Sequence, residues 1–460
     1  VVSAPGRSLW DAGLPEADRF AGAPLPGDTA VDVAIVGAGF TGLWTAISLA
    51  EIDPSLRIVV VERDTVGFGA SGRNGGWCSA LLPMSLPTIA ERHGRSAAVR
   101  LQRTMHDTVR IVGESCERYG IDAAFQHGGT IDLARSAAQV DRHRATLAEY
   151  ASFGFGEEDH RWLEDEEARA MCGATEVRGA LFTPHCAVVD PARLVHGLAR
   201  VAASLGVTVH EHTAATAIEP GAVRTERGTV RAEVVVRATE GFTAQLPGAR
   251  RELVPLYSMM IATEPLPAEV WDRIGLADRP SFDDGRRLLI YGQRTRDGRL
   301  AFGGRGAPYH FGSAIRPEFD TDPDVAASLA SALRALFPVL GDAAITHHWG
   351  GPLAVARDWH ASVRFDRATG RATAGGYVGD GVATANLAGR TLAHLITGTD
   401  SELVRLPWVG HRSRSWEPEP LRWLGINAGR VAAARADQVE ERTGRPSRFW
   451  ESVITNLLGR

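Results

Sequence analysis

The chain has 460 residues, 44% hydrophobic and 23% charged, enough for two or three domain-sized cores. Its net charge of −5, with arginines scattered along the sequence, excludes a nucleic-acid or other polyanion surface. No run of eighteen apolar residues predicts a membrane span, and four cysteines without a CxxC pair predict no metal or disulfide pattern and a reducing, cytoplasmic setting.

In chain order, residues 1–30 read as an irregular leader over the surface, broken by Pro15, Pro24 and Pro26. Val31 to Val36 is a short β-branched apolar run, the pattern of a buried parallel strand. Gly37, Gly39 and Gly42 follow, supplying a tight turn, a backbone open to a pyrophosphate, and close helix–strand contact. A helix then opens at Phe40 and Thr41, its positive N-terminal end facing the phosphates. It is expected to be amphipathic, with Leu43, Ala46, Ile47 and Ala50 toward the sheet. Arg57 to Val61 is a second strand, ending in Glu62, whose carboxylate is placed to accept hydrogen bonds from an adenosine ribose. Arg63 stands beside it. A glycine loop alone is common; preceded by a strand, followed by a helix and completed by Glu62, it predicts a bound dinucleotide.

The next loop is too rich in glycine to begin a packed helix. Gly69, Ala70, Ser71, Arg73, Asn74, Gly75, Gly76 and Trp77 can instead wrap an elongated ligand. Helices are predicted over Thr88–Tyr119 and Ala137–Ala151, with a hairpin and its glycine turn between Phe125 and Ala134. Residues 179–187 look extended, and Asp190 caps a helix with Pro191 at its first position. Strand patterns follow over 207–219, 230–238, 253–263 and 288–304, with a helix over Pro323–Phe337 and an extended stretch through Trp349. Residues 372–390 read as strand, glycine turn and helix, the turn holding Gly379, Asp380, Gly381 and Val382. Asp380 reads equally as an N-cap and as a ligand contact. The last sixty residues are rich in proline and tryptophan and carry a helix from Leu421 to Arg442.

These pieces resemble the FAD-dependent oxidoreductases of the D-amino-acid oxidase superfamily, with the nearest look to the bacterial γ-glutamylputrescine oxidoreductase-like branch. The resemblance runs from Asp32 to about Gly398 and rests on the glycine turn with Glu62, the 69–76 loop and the 376–390 segment. It implies an α/β fold: a Rossmann-like FAD-binding domain, glutathione-reductase-like and of D-amino-acid oxidase type, interleaved with a substrate domain on a mixed or antiparallel sheet. The FAD-binding domain is expected at 31–83, 170–250 and 340–398, the substrate domain at 84–169 and 251–339, and a helical tail at 399–460. It also adds Thr239, Gly241 and Gly351 to the cofactor-binding residues. No cysteine follows Cys186, so the FAD is expected to be held noncovalently.

The implied reaction is oxidation of an amine C–N bond to an imine by hydride transfer to flavin N5, with reoxidation by O2, releasing H2O2, or by another acceptor. Such chemistry needs an aromatic or apolar cage, for which Trp77, Tyr257, Met259, Tyr291 and Trp349 are candidates. Arg305 is a candidate partner for a substrate anion, and His310 for a substrate proton. Amino-acid oxidases of the superfamily place arginines where this chain has Pro352, Leu353 and Asp380, which puts a simple α-amino acid in doubt. The sequence contains no lysine, so the lysine that several related oxidases use to activate oxygen is missing. His347-His348 and the His210/His212 pair lack further ligands at a diagnostic spacing, and no metal is expected. An amino-acid oxidase or dehydrogenase, a tailoring oxidase acting on a larger metabolite and a noncatalytic flavin-binding protein remain the alternatives.

Overall fold

Thr29–Val36 forms the middle strand of an eight-stranded sheet, flanked in parallel by Ile58–Val61 and Gly228–Arg237. The computed structural model describes residues 7–304 and 306–458. Thr208–His210 and Arg371–Gly375 extend the parallel set on either side, and Ser362–Asp366 closes one edge antiparallel. A hairpin of Ala215–Glu219 and Ala222–Thr225 completes this sheet. Parallel strands carry their C-terminal ends to one edge, so Gly37, Glu62, Ala238 and Gly376 all emerge there.

The Phe40–Ile52 helix is not amphipathic. Every residue from Phe40 to Ala50 is buried, because the Gly381–Thr397 helix covers the side turned away from the sheet. The two helices touch so closely that a Cβ on Gly389 would sit 2.7 Å from the Thr45 amide nitrogen. The predicted helix from Thr88 is divided at Gly94, whose φ of +86° ends Leu86–His93 before Arg95–Tyr119 begins.

The second sheet has eight strands in the order Ile345–Val355, Val254–Thr263, Leu300–Gly304, Ile290–Arg294, Ser281–Asp283, Thr130–Leu133, Ala180–Thr183 and Arg161–Leu163. All its pairs are antiparallel except Ser281–Asp283 with Thr130–Leu133, so the sheet is mixed. Ala180–Thr183 and Ile345–Val355 lie in this second sheet rather than in the parallel one. The Phe125–Ala134 hairpin does not form either: Gln126 bridges Val188, while Thr130–Leu133 pairs with two strands from farther along the chain.

The leader is not a loose surface segment. Leu9, Trp10, Leu14 and Leu25 are buried, and the Trp10 indole N–H donates to the Asn74 carbonyl at 2.8 Å. Trp10 also meets Trp349 edge-on, with ring centroids 6.4 Å apart. At the other end, Leu421–Thr443 docks on the second sheet through Asp437 and Glu440. Asp437 accepts from the amides of Arg287 and Leu288 at 3.0 and 2.9 Å, and buried Glu440 pairs with Arg142 and Arg287, each at 2.8 Å. Glu440→Ala takes the ion-pair partner from Arg142 and one of three from Arg287, which keeps Asp437 and Glu451, and should cost about 2 kcal/mol of stability. Arg405→Ala, which breaks only exposed pairs with Asp400 and Glu402, should cost less than about 0.5 kcal/mol; urea unfolding midpoints check both.

Candidate active site

At the C-terminal edge of the parallel sheet lies a cavity of about 190 Å³. Gly37, Gly39, Phe40 and Thr41 form one wall, Glu62 and Arg63 a second, Gly69, Ala70 and Ser71 a third, and Thr239 and Gly241 a fourth. Gly42 stands behind the loop: its added Cβ would meet the Gly37 carbonyl oxygen at 2.0 Å, which is why only glycine lets the helix start so near the strand end. The Ser71 hydroxyl accepts from the Phe40 amide at 2.9 Å, tying the second glycine-rich loop to the helix N-terminus. The Glu62 carboxylate accepts from the amides of Ala38 and Asp64 at 2.9 and 3.0 Å, and burial pushes its pKa up despite them. The Arg63 guanidinium sits over the Phe242 ring at 4.6 Å and pairs with Asp64 at 2.7 Å.

A smaller cavity of about 60 Å³ continues the first, sharing Phe40, Thr41, Ser71, Glu240 and Pro352 with it and adding Tyr377, Gly379, Gly381 and Val382. Glu240, at φ +37°, accepts from the amides of Gly376 and Tyr377, both at 3.1 Å, through one oxygen. Its other oxygen is buried without a hydrogen-bond partner among the described residues, and burial pushes this carboxyl up to about 7. Glu240 lies between the expected Thr239 and Gly241 and was not among the expected residues; a charged residue between two such positions is the signal that marks it. Asp380 precedes the Gly381–Thr397 helix, yet its side chain makes no capping hydrogen bond; the Ser79 hydroxyl donates to it at 3.4 Å.

The series ends in a cavity of about 290 Å³ between the sheets. Arg73, Asn74, Gly75 and Trp77 line it from the glycine-rich loop, Gly351 and Leu353 from the long strand, and Gly379 and Asp380 from the late turn. Arg73 is paired with Asp320 at 2.6 Å and donates to the Gly350 carbonyl. Asn74 braces its own loop, donating to Ala70 and accepting from the Gly76 amide. Gly76 lies outside the lining, at φ +73°, where a Cβ would meet Gln293 and Val189. Trp77 and Tyr291 cross edge-on at 5.7 Å, and the Tyr291 hydroxyl lies 2.8 Å from Ser258 Oγ. The Trp77 indole N–H is buried and has no hydrogen-bond partner among the described residues. Ser258, Met260, Asp283, Leu289 and Trp359 complete the wall.

Asp283 is the chemically distinctive member. Burial and the nearby Asp132 raise its pKa far above the carboxylate range, so it holds a proton and is hydrogen-bonded to Asp132. Asp132 stays ionised: burial opposes this, but the Asp283 hydrogen bond and His143, 3.0 Å away, outweigh it. These three residues come from separate strands and a helix, so no local spacing announced them.

Several expected cage residues point elsewhere. Side chains alternate along a strand, and Ser258 and Met260 face the cavity, which turns Tyr257 and Met259 into the opposite core. His310 stacks on Phe319 at 3.5 Å and meets Tyr257 edge-on, outside the cavity lining. Trp349 is buried behind the loop, its indole N–H donating to the Arg73 carbonyl at 2.8 Å. Arg305 lies outside the described residues.

Three adjoining cavities, a glycine turn too tight for any Cβ, and two buried polar atoms without partners among the described residues fit an elongated cofactor. The family described as DAO, FAD dependent oxidoreductase, matches residues 32–395. The probable oxidoreductase OrdL of Rhizobium meliloti is 31% identical over 87% of this chain and 90% of its own length. The gamma-glutamylputrescine oxidoreductase of Escherichia coli is 31% identical over 80% of this chain and 84% of its own. Among solved structures, glycine oxidase from Geobacillus kaustophilus superposes with a TM-score of 0.69 at 23% identity, covering 83% of this chain and 99% of that one.

Gly42→Ala should lower FAD occupancy at least about tenfold, read from the flavin absorbance per chain, whereas Gly429→Ala, with nothing near its Cβ, leaves it unchanged. Because Glu240 titrates higher in the folded chain than unfolded, its contribution to stability is fully present below about pH 4.5 and lost as pH rises through about 7. Glu240→Gln should remove that decline, measured as the thermal midpoint against pH.

Proposed function

Since this chain belongs to the FAD dependent oxidoreductase family and is an FAD enzyme acting on C–N bonds, we propose that its substrate is a primary or secondary amine with no carboxylate on the reacting carbon. One observation carries this reading. Among the described residues lining the large cavity, the only arginine is Arg73, and it is already held by Asp320 and the Gly350 carbonyl. A buried substrate carboxylate needs a cation of its own. The positions where amino-acid oxidases of the superfamily carry arginine hold Pro352, Leu353 and Asp380, of which the last two face this cavity.

Bound FAD supplies a two-electron acceptor for the hydride that leaves the amine carbon. The protein's work is positioning and proton handling. Trp77, Tyr291 and Trp359 offer aromatic faces that hold an amine and keep water away, with Ser258 bracing Tyr291. An ammonium must lose a proton before its carbon can release hydride. Asp283, in the cavity wall and hydrogen-bonded to ionised Asp132, is the group placed to take that proton while its own passes to Asp132. The imine then adds water and separates into a carbonyl compound and an amine. The electrons leave to O2, giving H2O2, or to another acceptor. Four buried, unpaired cysteines support a reducing compartment, the cytoplasm. No described helix is long and apolar enough to cross a membrane.

Anaerobic mixing with a panel of amines and α-amino acids tests the reading: simple amines should bleach the flavin band, and bleaching by α-amino acids alone would sink it. Trp77→Ala should lower kcat/KM about 10–100-fold with FAD retained, whereas Tyr257→Phe and His310→Ala, which lie behind the cavity, should change it less than about twofold. Steady-state kinetics on flavin-loaded protein measure both.

A further inference from the structure

Three histidines from distant parts of the chain meet beside the large cavity. His93 ends the Leu86–His93 helix, His360 follows the cavity-lining Trp359, and His411 lies in the segment before the final helices. Each offers one ring nitrogen, and these atoms lie within 4.8 Å of one another. The rings of His360 and His411 stack at 3.8 Å, and His93 meets His360 edge-on at 5.9 Å.

The hydrogen bonds around them set which nitrogens are free. His360 is only 4% exposed, and its Nδ1 lies 2.6 Å from the Ala361 carbonyl oxygen. A carbonyl only accepts, so Nδ1 carries the proton and Nε2 is left as a lone pair, buried and without a partner among the described residues. Such a group in a protein interior calls for an explanation, and an ion is one. His411 Nε2 lies 2.9 Å from Asp358, a carboxylate that also receives Arg92 and Ser413. A carbonyl or carboxylate on one ring nitrogen is the usual orienting partner of a histidine whose other nitrogen binds metal. His93 is exposed and leaves a path for entry.

We propose that His93, His360 and His411 bind one divalent transition-metal ion of the zinc class, with the Ala361 carbonyl and Asp358 orienting His360 and His411 and a water filling the fourth position. Three imidazoles without oxygen ligands select zinc-like ions over calcium or magnesium. Ligation at about 2.1 Å requires the His360 and His411 rings, now stacked at 3.8 Å, to rotate until both in-plane lone pairs meet one ion. The ion would tie the Leu86–His93 helix and the 411 segment to the turn that carries Trp359 into the cavity wall. A second cluster of His106, His185 and Asp159 is differently built: His185 Nε2 already bonds Asp159 at 2.7 Å, inside the cluster itself rather than to an orienting group outside it. It serves as the internal control.

Metal-stripped, FAD-loaded enzyme is titrated with Zn²⁺ and desalted, and bound metal is counted by mass spectrometry; Co²⁺ in place of Zn²⁺ reports the ligand field at wavelengths beyond the flavin band. Wild type should retain about one ion per chain and gain thermal stability with added Zn²⁺. His93→Asn, a change at an exposed position, should bind at least about tenfold more weakly with its flavin spectrum unaltered, while Asp159→Asn binds like wild type. Retention by wild type below about a tenth of an ion overturns the proposal. So does equal binding by His93→Asn, or a loss of binding in Asp159→Asn.

Discussion

Everything at the cofactor edge depends on how near the Phe40–Ile52 helix begins to the end of its strand. A single methyl group on Gly42 would collide with the Gly37 carbonyl, and one on Gly37 would meet the Ala238 carbonyl oxygen at 2.5 Å. With those atoms absent, the helix amides, the Ser71 hydroxyl and the Glu62 carboxylate converge on one small volume. The helix can sit there only because the Gly381–Thr397 helix seals its outer side, again through a glycine. The cavity edge is thus a packing solution before it is a chemical one.

The second sheet contributes by parity. Val254–Thr263 pairs along nearly its whole length with Ile345–Val355, which fixes Ser258 opposite Gly351 and Met260 opposite Trp349. That register turns small and polarisable side chains toward the cavity, and sends Tyr257 and Met259 into the core beneath. A shift of one residue would exchange the two sets.

Features confined to one stretch of chain were legible in the sequence. The glycine turn, Glu62, the 69–77 loop and the late strand–turn–helix are each built from neighbours, so their spacing carries their meaning. Strand parity in Leu253–Thr263 was not legible, because an apolar run buried on both faces gives no alternation to read. The leader's Trp10 looked like surface because its partners, Asn74 and Trp349, are far off in sequence. The Asp283–Asp132–His143 chain joins distant elements, and the His93, His360 and His411 cluster does the same; neither leaves a periodic trace.

The cations that hold this molecule together are guanidinium groups, as at Arg73–Asp320 and Arg287–Glu440, with some imidazoles. Amine oxidation followed by hydrolysis liberates aldehydes or ketones inside the protein, and these condense readily with ε-amino groups. A chain without lysine presents no side-chain amine for its own product to trap. A Schiff base on a lysine is thereby ruled out as a fate for any carbonyl product that lingers in the cavity.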